Sequence, residues 1–316
     1  MSKSNPDHVR IGLALGGGAA RGWAHIGIIQ ALEDMGLRPD VIAGCSIGSI
    51  VGAAQAAGNL QRLKEWVLSL RRRDVATFFD IGWGNKGLID TERLQKFLHE
   101  HVVDQDTVIE SLDMRYGSVA TDLGNGREIW FTEGPVMRSI MTSIALPGLF
   151  APVRYNNRWL VDGGLVNPVP VSLCHALGAE VVIAVNLNAD ILGKHLNLRK
   201  DDIAASSGFM DGILGTIKSY SANFFPGSRE ESPPGMLDVL ASTVNITQDR
   251  ITRSRMAGDP PDVLIEPHLA HIGLLEFHRA EEAIAEGRDC IRRMQPAIEY
   301  TMEHAVRISG KMLEQP

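Results

Sequence analysis

The pentapeptide Gly44-Cys45-Ser46-Ile47-Gly48 constrains this chain more than any other stretch. Before it stands Val41-Ile42-Ala43, an apolar run of strand type, and after it Ile47 to Ala57 is rich in the small and apolar residues of a buried helix. A serine between the two lies on a sharp turn. Gly44 and Gly48 let the backbone turn without a Cβ striking its neighbours and push the hydroxyl out at the tip. There it sits beside the amino end of the helix, where unpaired N–H groups favour a developing negative charge. On these residues alone, Ser46 is either a nucleophile or the cap of a tightly packed helix.

The same strand, turn, helix order occurs earlier. Val9 to Leu15 predicts a strand, Gly16-Gly17-Gly18-Ala19-Ala20-Arg21-Gly22 a loop, and Trp23 to Met35 a helix stopped by Gly36. Such a loop aims several backbone N–H groups at one point, where they could hold a phosphate or the oxyanion of acyl transfer. It lacks the Gly-Lys-Ser/Thr ending of a P-loop and has no clean dinucleotide spacing, which weakens a nucleotide reading. Arg21 either anchors the loop or meets a substrate anion, with the structural role favoured. His25, beside Trp23 and Ile26, reads as a satisfied, partly buried histidine.

A second chemical stretch follows. Arg158 to Val161 predicts a strand arriving at Asp162-Gly163-Gly164, an acid at a strand end with room for close backbone approach. A partly desolvated carboxylate there could take the serine proton directly; the alternative is an aspartate that fixes a turn. Val171 to Leu177 and Val181 to Leu187 add a helix and a strand, and the alternation predicts an α/β fold with a mostly parallel sheet.

Composition bounds the partners. A formal charge of −7 gives no general attraction to nucleic acid or anionic lipid, while leaving room for a local basic patch. Arg71-Arg72-Arg73 reads as a solvated face. The three cysteines form neither metal-ligand spacing nor a disulfide framework, so a reducing compartment is expected. With no apolar leader at Met1 to Arg10 and no uninterrupted apolar run of spanning length, the expected place is the cytoplasm, with peripheral membrane contact left open.

The glycine loop, the serine turn and Asp162-Gly163-Gly164, in that order, resemble the patatin-like phospholipase family, in particular its bacterial neuropathy-target-esterase-like branch. The likeness runs over about Val9 to Leu187, more weakly over Asp262 to Asp289. It implies a three-layer α/β/α fold and a serine-aspartate dyad: Ser46 as nucleophile, Asp162 as base, and N–H groups around Gly16, Gly17, Gly18 and Ala19 as oxyanion hole. It implies hydrolysis of the acyl esters of phospholipids, lysophospholipids or neutral lipids, phospholipid or lysophospholipid esters being the expected substrates, with no metal or cofactor. Cys45 stands where many relatives carry threonine, a change small enough for the turn. A classical α/β-hydrolase would need a later histidine, and His268, His271 and His278 are available by order alone. A catalytically weak lipid-binding adaptor of the same fold is the other reading.

The remainder organises around that core, taken as residues 9–187. Leu146, Leu149 and Phe150 could wall an acyl chain or pack a core. Residues 188–238 are expected to form an inserted helical lid or interface, with an apolar face over Ser206 to Phe225 that leaves homo-oligomer pairing open. Residues 239–316 would complete the domain with helices: Leu237 to Arg250, with Arg253 and Arg255 exposed beyond it, a surface helix over Phe277 to Glu286, and one or more helices over Arg288 to Lys311. Val263 to Ile265 reads as an edge strand.

Overall fold

The computed structural model describes residues 8–78, 91–190 and 236–313. Its strands are β1 (Ile11–Leu15), β2 (Val41–Cys45), β3 (Arg115–Asp122), β4 (Glu128–Phe131), β5 (Val153–Tyr155), β6 (Arg158–Asp162), β7 (Val181–Val185) and β8 (Val263–Ile265). They make one sheet in the order β5-β6-β3-β2-β1-β7-β8, with β4 also paired to β3. Strands β3, β2, β1, β7 and β8 run parallel, and β4, β5 and β6 are antiparallel additions. The mostly parallel α/β fold expected from the sequence is therefore the observed one.

The described helices are α1 (Ala24–Asp34), α2 (Ile47–Ala56), α3 (Leu60–Ser69), α4 (Arg72–Phe78), α5 (Thr91–His101), α6 (Val136–Ser143), α7 (Val171–Ala176), α8 (Met236–Gly258) and α9 (Ala280–Leu313). Strand pleating sorts them into two layers. Leu13, Leu15, Ile42, Ile183 and Val185 point into one core with Ile26, Ile29 and Val51 of α1 and α2. Ala14, Ala43, Val119 and Ala184 point the other way, onto Val171, Leu173 and Cys174 of α7, with Met256 of α8 beside them. Each large side chain taken fully out of water here contributes about 1.5–3 kcal/mol.

The antiparallel additions position the chemistry. Residues 118–121 of β3 pair with β4 along one edge. The other edge is shared: Cys45, the last residue of β2, lies opposite Val119, and Asp162, the last residue of β6, lies opposite Ala120. Since β6 runs against β3 and β2 runs with it, the carboxyl ends of β2 and β6 meet head to head on successive β3 residues. Ser46 and Asp162 are brought together by this register.

Three local expectations need correction. The helix expected to stop at Arg250 runs on to Gly258, and Arg255 is no free surface residue: its Nε donates to Val166 O at 2.6 Å and it pairs with Glu128. The extra turns are held by the Arg255 bonds and by Met256, which packs against the core cluster on the α7 side of the sheet. Phe277–Arg279 is a single 3-10 turn, and α9 is one helix through Gly287 and Pro296. Gly287 is a contact residue rather than a stop, because a Cβ there would collide with Ala24 O of α1, as one on Gly27 would with Ile284 O. The apolar stretch Ser206 to Phe225 lies outside the described residues. No helix among them is long and apolar enough to cross a membrane.

Candidate active site

Ser46 occupies the turn between β2 and α2 with φ 53° and ψ −124°, a left-handed backbone that a non-glycine residue adopts only under constraint. The constraint is visible. The Ser46 N–H donates to Ser143 Oγ at 2.9 Å, Ser49 Oγ donates to Ser46 O at 2.6 Å, and the Ser49 N–H reaches the same carbonyl at 2.8 Å. A Cβ on Gly48 would strike Leu15 O, and one on Gly44 would strike Ser49 Cα, so the two flanking glycines are required by close approach.

Ser46 Oγ donates to Asp162 Oδ2 at 2.6 Å. The other carboxylate oxygen, Oδ1, accepts the Gly164 N–H at 2.7 Å, and Thr121 Oγ1 donates to the Asp162 carbonyl at 2.8 Å. The side chain is thus oriented at both ends. Asp162 is 1% exposed, and its burial raises the carboxyl from 3.8 to about 6 against the opposing pull of the Ser46 and Gly164 hydrogen bonds. Cys45 beside it is fully buried, and that burial, with the charges of Asp162 and Glu128, pushes its thiol well up, leaving it an unreactive neighbour.

The glycine loop abuts this pair. A Cβ on Gly17 would lie 3.4 Å from Ser46 Cβ. The four residues expected to supply oxyanion donors divide in two: the Gly16 N–H is committed to Val185 O at 3.1 Å and the Gly17 N–H to Pro168 O at 3.0 Å. Those bonds tie the loop down and remove both amides from use. Gly18 and Ala19 donate to no acceptor among the described residues, and Ala19, at φ 49°, lines the same cavity as Ser46.

Arg21 is fully buried and anchors the loop. Its Nε donates to Ile272 O at 3.0 Å and its Nη1 to Asn188 Oδ1 at 2.8 Å, while Asn188 Nδ2 donates to Gly17 O at 3.3 Å and to Gln248 Oε1 at 3.1 Å. Burial lowers its pKa to about 10, with Asp190 opposing. A substrate anion has no access to it. His25, also fully buried, hydrogen-bonds Gly16 O at 2.8 Å through Nε2, and burial takes it down to about 4, so it is a neutral donor. Sequence reasoning missed Ser143, Asn188 and Gln248; the small hydroxyl residues Ser139, Thr142 and Ser143, clustered among the apolar Val136, Ile140 and Met141, were the available signal for the first.

A cavity of about 120 Å³ opens at Ser46. Ser46 is the one polar residue among its described lining, which includes Ile47 and Ile50 of α2, Trp66 of α3 and Phe97 of α5. Leu146, Leu149 and Phe150 are part of this wall, as are Leu275 and Phe277. None of His268, His271 and His278 belongs to it. His271 lies 3.7 Å from Glu282, His278 accepts from Arg72, and the His268 N–H binds Glu286.

Residues 13–175, just over half of the chain, match the family model described as patatin-like phospholipase. An uncharacterized NTE family protein of Mycobacterium bovis is 33% identical, covering 88% of this chain and 89% of its own length. A lysophospholipase of Pyricularia oryzae, NTE1, is 27% identical over 88% of this chain and 18% of its own length. Human patatin-like phospholipase domain-containing protein 6 is 32% identical over 57% of this chain and 13% of its length. The class thus defined is that of the lipid ester hydrolases. Within it, the chain belongs to the patatin-like phospholipase family.

Proposed function

We propose that this chain is a serine acyl hydrolase that cleaves carboxylic esters of phospholipids or lysophospholipids through Ser46, Asp162 and an acyl-enzyme. The observation that carries the reading is the 2.6 Å bond from Ser46 Oγ to Asp162 Oδ2, with Ser46 in the wall of an otherwise apolar cavity. Ser46 Oγ attacks the ester carbonyl carbon while Asp162 Oδ2 takes its proton. A carboxyl raised to about 6 by burial is a better acceptor than an exposed one and is still ionised at neutral pH. The carbonyl oxygen, now negative, receives the free N–H groups of Gly18 and Ala19, each such donor typically contributing about 10²–10³ in turnover.

Collapse of the intermediate breaks the ester C–O bond. The proton on Asp162 passes to the departing alkoxide, which leaves as an alcohol or lysolipid, and the acyl group stays on Ser46. Water then gives its proton to Asp162 and attacks the acyl carbon, releasing the fatty acid and restoring both residues. The cavity lining suits the aliphatic chain. The reading places the enzyme in the cytoplasm with transient contact at membranes, in keeping with three unpaired, buried cysteines. Its core is residues 9–187, completed by the carboxyl-terminal helices.

Fatty-acid release from a panel of phospholipids, lysophospholipids and neutral glycerides tests this. The wild type is expected to release fatty acid, Ser46→Ala and Asp162→Asn to lose that release, and His268→Ala to retain it. An inactive wild type that still binds lipid would favour the adaptor reading, and loss at His268 would restore a triad.

A further inference from the structure

The Arg71-Arg72-Arg73 run has no part in the chemistry above, yet it stands at the cavity rim. Leu70 and Val75 both line the cavity that contains Ser46, and the arginines between them are exposed. A second segment converges on the same place. Phe277 lines the cavity, and the next residue, His278, accepts a hydrogen bond from Arg72 Nε at 3.2 Å. Because His278 accepts through Nε2 it is neutral there, and burial followed by the charge of Arg72 lowers its pKa. With Nε held by His278, the two Nη groups of Arg72 remain as a planar fork beside the residue that follows Phe277 of the cavity wall.

Neighbouring carboxylates do not neutralise this fork. Asp74 accepts the Arg71 N–H at 2.9 Å and lies 3.8 Å from Arg73. Glu276 and Glu282 are both bonded to Arg279. Among the described residues no carboxylate pairs with the Arg71 or Arg72 side chain. Two exposed arginines that have no carboxylate partner among the described residues therefore lie in sequence between two residues of the cavity wall, in a chain whose net charge is −7. A ligand with an aliphatic tail and an anionic phosphate close to the ester fits both halves, since guanidinium matches phosphate in a bidentate manner.

We propose that Arg71 and Arg72, with His278 orienting the latter, form a headgroup site for the phosphate of a glycerophospholipid or lysophospholipid whose acyl chain occupies the cavity. This rests on the acyl-hydrolase reading and narrows it to phosphate-bearing esters over neutral glycerides. The test is binding to Ser46→Ala protein, followed by fluorescence of Trp23 and Trp66, which line the cavity. Two monomeric ligands of equal chain length are compared below micelle formation: a 1-acyl-glycerol-3-phosphate and the matching 1-monoacylglycerol.

The phosphate ligand is expected to bind more tightly, and Arg71→Gln with Arg72→Gln to shrink that preference by about tenfold or more. Arg72→Lys, which keeps the charge and loses the fork, should give an intermediate preference. Inorganic phosphate is expected to compete only weakly. No preference in the parent, or the same preference in the double variant, overturns the proposal. So does displacement by inorganic phosphate as effective as by the lipid, which would mark a plain anion site. Because the readout is binding, absence of esterase activity would sink the hydrolase reading and leave this result standing.

Discussion

Ser143 Oγ accepts the backbone N–H of Ser46 at 2.9 Å, so the amide of the residue proposed as nucleophile is engaged before any ester arrives. Ser143 is fully buried at the end of α6, the helix that follows the β4 addition, and it acts on the reaction only through Ser46. Ser143→Ala leaves a partly buried N–H without a partner beneath a strained φ, at a cost of about 1–3 kcal/mol. We expect kcat to fall about tenfold with KM nearly unchanged, and Ser143→Thr to recover part of it. A change confined to KM would mean that Ser143 shapes the acyl site instead.

The pH dependence of activity follows from Asp162. Its carboxyl titrates at about 6, and only the ionised form accepts the serine proton. The kcat/KM profile should therefore be flat above about pH 7 and fall about tenfold per pH unit below 6. An inflection near 4 would mean that Asp162 is better solvated than its burial implies.

Stability runs in the opposite sense. The folded pKa of about 6 exceeds the ordinary 3.8, so between these values the folded state holds the proton more tightly than the unfolded state does. Stability from this group is complete below about 4 and is lost as pH rises through 6, amounting to about 2–3 kcal/mol at 1.36 kcal/mol per unit. Asp162→Asn removes the buried charge while keeping groups for the Gly164 and Ser46 hydrogen bonds. Thermal melts at pH 8 should show the inactive variant to be more stable than the wild type, with the gap closing towards pH 4.

Arg21 allows the converse experiment, since its burial is compensated by partners. Arg21→Ala removes donors from Ile272 O and Asn188 Oδ1 and opens a large void, costing about 3–5 kcal/mol. The variant should melt far below the wild type. Arg21→Lys cannot reproduce both bonds and should fall between them.

How far the sequence carries these conclusions depends on the range of each interaction. The strand, turn and helix around Ser46 are local, and Val41 to Ala57 spells them out in hydrophobic pattern and glycine placement. Asp162 was legible as a candidate because its two glycines stand beside it. That it meets Ser46 came only with the family resemblance, since nothing in the residues themselves reveals that β6 pairs with β3 at Ala120, a register fixed across the sheet. The glycine loop shows the same boundary: the sequence reveals which residues carry an N–H, whereas Val185 and Pro168 decide that the amides of Gly16 and Gly17 point elsewhere. The break expected between Glu286 and Arg288 is absent because Gly287 lets α1 pack closely against a continuous helix, a contact that the local sequence does not reveal.

Ile50 gives a direct test of the cavity as the acyl site. It sits one turn beyond Ile47 on α2, and both side chains line the cavity that starts at Ser46. A larger side chain at position 50 would occupy space that a long acyl chain needs while leaving the ester end near Ser46 free. Ile50→Phe should therefore lower kcat/KM on long-chain esters by about tenfold or more, and lower it far less on acetate and butyrate esters. Overpacking should cost about 1–3 kcal/mol, which a thermal melt will register separately from the change in chain-length preference. An equal loss on short and long esters would show that the acyl chain leaves Ser46 by another route.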